Sequence, residues 1–121
     1  MSRKRKWPTG IVKFDVPIYG GTVVFVQSYK KWRQCVRHLT GKKPTEMPDG
    51  VGCSTAYHAP MATFYFVGVF VPQAAILVHE LAHITFTILD DVSVPLGNGN
   101  EAYCYLLDTL FATIRHEVKL K

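Results

Sequence analysis

Hydrophobic positions in this chain follow two rhythms. Between residues 11 and 28 they form short β-branched and aromatic runs, GIVKFDVPIYGG and then TVVFVQS, meeting at Gly20-Gly21. Such runs predict two strands joined as a hairpin or a close pair. From Tyr29 to Gly41 the rhythm becomes helical: Trp32, Cys35, Val36 and Leu39 form one apolar stripe, with lysines and arginines on the other side. An amphipathic helix is expected there, capped by Ser28 and stopped by Gly41. KKPTEMPDG (42–50) carries two prolines and an Asp-Gly and reads as loop. VGCSTAYHA (51–59) suits an edge strand, and the almost wholly apolar ATFYFVGVFV (62–71) suits a central strand buried on both faces.

MATFYFVGVFVPQAAILV (61–78) is long and apolar enough to suggest a membrane span, with only Thr63 and Gln73 polar. Its first part is β-branched and aromatic, and Pro72 interrupts it before a run of helix formers. A strand, a tight connection and a buried helix over about 73–89, with Pro72 in its first turn, explain it better than a span. DDVSVPLGNGN is then loop, and EAYCYLLDTLFATIRHEV a last helix capped by Asn98 or Asn100. The expected order is β-β-α-β-β-α-α, an α+β domain with a small, mostly antiparallel sheet.

Length and charge refine this picture. At 121 residues, 48% hydrophobic and 19% charged, the chain is expected to form one globular domain over 9–121 behind a basic, disordered arm at 1–8. The formal charge is +5, concentrated in SRKRK (2–6), KKWRQCVRH and Lys42-Lys43. No nucleic-acid fold signature accompanies these cations, so they read as a solvated tail and helix face, and nucleic acid is not the expected partner. Cys35, Cys53 and Cys104 are scattered with no C-x-x-C, which points to reduced thiols. Trp7-Pro8-Thr9-Gly10 interrupts any apolar run after the N-terminal cations, so a cytoplasmic location is expected.

The candidate chemistry lies in AAILVHELAHITFTILDD (74–91), where His79, Glu80 and His83 are the only ionisable groups before the final aspartates. Positions four apart stack on one helix face, so the two imidazoles can share one Zn²⁺. Glu80 lies about 100° around the helix from His79, placed to act as general base beside the ion. A solvated helix face would carry lysines and glutamates at other turns, and none occur here. Buried ionisable groups need a partner, and a metal provides one.

A catalytic zinc normally has three protein ligands. Six residues past His83 stands Leu89, and Phe86 stands where a metzincin-type extension needs glycine, so that extension is absent. Glu101 opens the next helix, and two helices joined by a short loop can pack side by side; it is the favoured third ligand. Asp90, Asp91, His116 and His58 are the alternatives, the two aspartates looking like residues entering a loop. Tyr57, His58 and Tyr105 are candidates to stabilise a developing oxyanion.

His79-Glu80-Leu81-Ala82-His83, followed by Asn100-Glu101 on the next helix, resembles the gluzincin branch of the zincin metallopeptidases. The short block LVHELAHITFTILDD…GNGNEAYCYLLDTL is also similar to small zincin-like domains predicted in bacteriophage genomes. The resemblance is close over about 73–110 and covers the earlier strands only in order and type. It implies a sheet packed on the active-site helix, an edge strand that receives an extended peptide, and a peptide or protein substrate from host or phage in the host cytoplasm. A phage-type regulator that binds zinc and a partner, with little peptidase activity of its own, is the alternative. One departure stands out: gluzincins often continue Asn-Glu-x-x-Ser-Asp, whereas Glu101 is followed by Ala102, Tyr103, Cys104 and Tyr105. Asp108, on the Glu101 face, is then the candidate to support a zinc-bound histidine N–H.

Overall fold

A computed structural model describes residues 6–44, 48, 50–97 and 100–121. The elements are β1 (Val12–Asp15), β2 (Thr22–Val26), α1 (Tyr29–Thr40), β3 (Gly52–His58), β4 (Thr63–Val69), α2 (Ala74–Asp91) and α3 (Glu101–Glu117), in the expected order. The four strands form one mixed sheet ordered β1-β2-β4-β3. Its outer pairings are antiparallel, and the central pair β2–β4 is parallel. A parallel pair needs a long crossover, which α1 and β3 provide between the two strands.

Side chains alternate across the two central strands and build two cores. Val23 and Phe25 of β2, with Tyr65, Val67 and Val69 of β4, face α2 and α3. Val24 and Val26, with Phe66, face Trp32, Cys35 and Val36 of α1. The sheet is therefore the middle of three layers, with α1 on one face and α2–α3 on the other. The strand over 63–69 is buried on both faces, and β3 is an edge. The 61–78 segment resolves into β4 and the start of α2; among the described residues no helix is long and apolar enough to cross a membrane.

Local signals set the helix ends. Ser28 accepts the Lys31 N–H at 3.1 Å, and Gly41, at φ 76°, returns its N–H to the Arg37 carbonyl. Pro72 lies outside α2 rather than in its first turn, and the cap position Gln73 makes no side-chain bond. The main chain of Lys121 substitutes for a cap: it accepts the Ala74 N–H at 2.7 Å and donates to the Pro72 carbonyl at 3.0 Å. α2 continues through Asp90 and Asp91, so these close the helix instead of opening a loop. Asn100 is the residue before α3, at φ 38° and without a side-chain cap bond, while Asn98 falls outside the described residues, as do residues 1–5 of the expected arm at 1–8. Trp7 belongs to the domain rather than to an arm: its ring lies 4.4 Å from that of His38 and 5.5 Å from that of Phe64.

Candidate metal site

α2 lies over β3 and β4, burying Leu77, Leu81, Ile84, Ile88 and Leu89 almost completely. Each is worth about 1.5–3 kcal/mol relative to exposure, enough together to hold the ionisable residues of the same helix in place. Glu80 is carried into this interface and is only 8% exposed, while His79 and His83 stay on the open side. Gly52, the first residue of β3, makes the burial of Glu80 sterically feasible, because the carboxylate packs where a Cβ would project.

The two imidazoles meet. Nε2 of His79 and Nε2 of His83 are 3.3 Å apart, the rings tilted at 78°. Two nitrogens bound at 2.0–2.1 Å to a tetrahedral ion stand about 3.3–3.4 Å apart. An N–H···N hydrogen bond prefers a shorter separation, by analogy with about 2.9–3.0 Å for N–H···O. The donor pair therefore fits zinc. Both rings open on a groove of about 680 Å³ whose wall includes Ser54 and Thr55 of β3, Glu80, Phe86 and Tyr103.

The third donor does not join them. Among the described residues no three His, Cys, Asp or Glu side chains gather as a metal would require. Glu101 is the exposed first residue of α3. The buried face of that helix is formed by Leu106, Leu110 and Ile114, about 140–220° around the axis from Glu101 at 100° per residue. Asp108 shares the exposed stripe with Glu101 and does not reach a histidine ring by any hydrogen bond of the structure. Tyr105 is 68% exposed, and His116 is exposed at the far end of α3. Tyr103 is the α3 residue that lines the groove, its hydroxyl donating to the Ala82 carbonyl at 3.0 Å. It stands three and seven residues before Leu106 and Leu110, a spacing that marks the buried face.

The β3 candidates lie elsewhere. Tyr57 turns to the α1 side, its ring 4.9 Å from Phe66, and burial followed by the nearby Cys53 raises its pKa. His58 is at the other end of β3, where its Nε2 lies 2.8 Å from Oδ2 of Asp91. Glu80 and Asp91 are separated by about 16 Å along α2 at 1.5 Å per residue, so His58 and Asp91 are remote from the histidine pair. Tyr65 donates to the same Asp91 oxygen at 2.8 Å, and burial, that bond and the Asp91 charge push its pKa far above the usual range. Asp90 is exposed and makes no such contact. This His58–Asp91–Tyr65 cluster ties the end of α2 to the sheet, and nothing in the spacing of the three residues signals it.

Comparisons of the chain with protein-family models, with curated proteins and with solved structures returned no match.

Proposed function

We propose that the chain is a zinc-dependent peptidase of zincin type, with the metal held by His79 and His83. The observation that supports this is the pair of imidazole nitrogens 3.3 Å apart beside a buried glutamate, at a groove along an edge strand. Zinc bound there would polarise a scissile carbonyl and make a water nucleophilic at neutral pH. Glu80 takes the proton from the attacking water and delivers it to the leaving amine, so that one water and one peptide bond become a carboxylate and an amine. Gly52 and the α2–β3 contact hold that carboxylate in place. Among the described residues β3 pairs only with β4, which leaves its outer edge to align an extended substrate by strand addition.

Glu101 is the proposed third donor on the resemblance alone: it opens α3, and its side chain lies about 200° around that helix from Tyr103, which touches α2, so ligation requires α3 to turn. The reading rests on His79, Glu80 and His83 rather than on Glu101, whose side chain is not grouped with the histidines. That incomplete donor set also favours a second reading, a zinc-binding partner protein without independent activity. Peptide-library cleavage by the parent and by Glu80→Gln, with zinc content measured for both, separates the two. A peptidase requires cleavage by the parent and a silent, zinc-loaded variant. Equal cleavage by both removes Glu80 from the mechanism, and a zinc-loaded parent that cleaves nothing supports the partner protein.

A further inference from the structure

The fold separates charge that is only unevenly spread along the chain. Residues 1–43 hold eleven of the 14 lysines and arginines and one acid, Asp15, whereas residues 44–121 hold three cations and eight acids. Because α1 covers one face of the sheet and α2–α3 the other, this asymmetry becomes, among the described residues, a difference between two faces. Lys30, Arg33 and Arg37 run along the exposed side of α1, opposite its buried Trp32, Cys35 and Val36. Lys6 and Lys31 adjoin them, lining with Gln34 one shallow cleft of about 340 Å³; a neighbouring cleft of about 380 Å³ is lined by Lys6, Gln34, Arg37 and His38. Lys13 stands over the Trp7 ring at 5.3 Å, and Lys42 and Lys43 follow the helix, exposed. Asp15 is the one acid of the described residues in this stretch, and Thr22 donates to it at 3.5 Å.

We propose that the α1 face is a docking surface for the phosphate backbone of a nucleic-acid duplex. Charge complementarity selects a polyanion, and what the face lacks narrows the class. A protein interface is built on an apolar centre, and a membrane-surface helix inserts large apolar side chains. Of the large hydrophobic residues exposed on the described surface, Tyr29 alone belongs to α1, and its ring is stacked on Phe70 at 4.2 Å. Single-strand binding uses aromatic platforms, but Trp7 is half-buried against His38 and Phe64. Remaining are exposed cations in a row, from Lys30 to Arg37 about 10 Å at 1.5 Å per residue. That span meets about three phosphates of one strand at 3.4 Å of axis each. The metal groove lies on the opposite side of the sheet, so both surfaces can be occupied at once, and this inference stands independently of the peptidase reading.

The test is fluorescence anisotropy with a labelled duplex of arbitrary sequence at 50 and 200 mM NaCl. About three phosphate contacts give a log–log salt slope near −2.7, a loss of about 40-fold between those concentrations. Lys30→Ala with Arg33→Ala should weaken binding at least tenfold at 50 mM salt. A pair with the same charge loss on the opposite layer, Lys119→Ala with Lys121→Ala, should change it less than twofold. No binding at 50 mM salt overturns the proposal, and so does equal weakening by the two pairs, which would reflect net charge alone. Tighter binding to a polyglutamate peptide, to a single strand or to anionic vesicles than to the duplex overturns it in favour of that partner.

Discussion

A Cβ placed on Gly52 would stand 3.0 Å from Oε2 and 3.1 Å from Cγ of Glu80, and 2.7 Å from Cγ2 of Ile76. β3 and α2 are thus in direct contact at the proposed general base, with no space for even a methyl group. Gly52→Ala is expected to displace Glu80 and to cost about 1–3 kcal/mol of stability through overpacking. Zinc uptake, which depends on the exposed histidines, should change little while cleavage falls at least tenfold. Zinc titration beside a rate assay checks this, and full activity would show that the position of Glu80 is not what the glycine protects.

If His79 and His83 share an ion, zinc binds the folded state and raises its stability. Free zinc at a hundred times the dissociation constant should add about 2.7 kcal/mol. Thermal unfolding with and without zinc would reveal the shift in the parent. His79→Ala and His83→Ala should each abolish it while leaving the metal-free transition close to the parental one, since both side chains are exposed.

Asp91 accepts from Tyr65 and pairs with His58, both at 2.8 Å, on one oxygen. Asp91→Ala leaves the part-buried tyrosine hydroxyl without that partner and should cost about 1–3 kcal/mol in urea unfolding, and Tyr65→Phe about 1 kcal/mol. His83 lies about 12 Å from Asp91 along α2, so zinc affinity should be unchanged in both. A parallel loss of zinc affinity would mean that the cluster and the metal site are coupled.

Burial pushes the Cys35 thiol up to about 11, with Lys31 pulling weakly the other way. A thiol near 8.5 in the unfolded chain ionises first, so the folded state holds a proton that the unfolded state has released. Stability from this source is complete below the unfolded value and is lost as pH rises toward 11. Urea unfolding at several alkaline pH values should show a shallower decline for Cys35→Ala than for the parent, even though the variant is weaker at neutral pH. Identical slopes would assign the alkaline loss to Tyr57 and Tyr65 instead.

Element order was legible because period-two runs and helical stripes do not overlap in this chain, and the caps at Ser28 and Gly41 are local chemistry. The parallel β2–β4 pairing was not, since register across a crossover depends on where α1 packs rather than on either strand. His79, Glu80 and His83 were legible for a similar local reason: spacing on one helix fixes their relation. Glu101 and Tyr103 belong to a second helix, and its rotation about its own axis decides which of them meets the groove. The pattern of Leu106, Leu110 and Ile114 carries that phase, and it favours Tyr103. Asp91 was misread because an aspartate pair after an apolar run looks like a helix exit, whereas Tyr65, distant in sequence, holds it within the last turn.

The main-chain bonds between Lys121 and the residues around Pro72 and Ala74 tie the segment after α3 to the first turn of α2. The start of the histidine-bearing helix has no side chain of its own to cap it, so the order of its first turn depends on chain that is distant in sequence. Fraying of this turn is therefore coupled to the segment that follows α3, two stretches of chain far apart in sequence that open and close together.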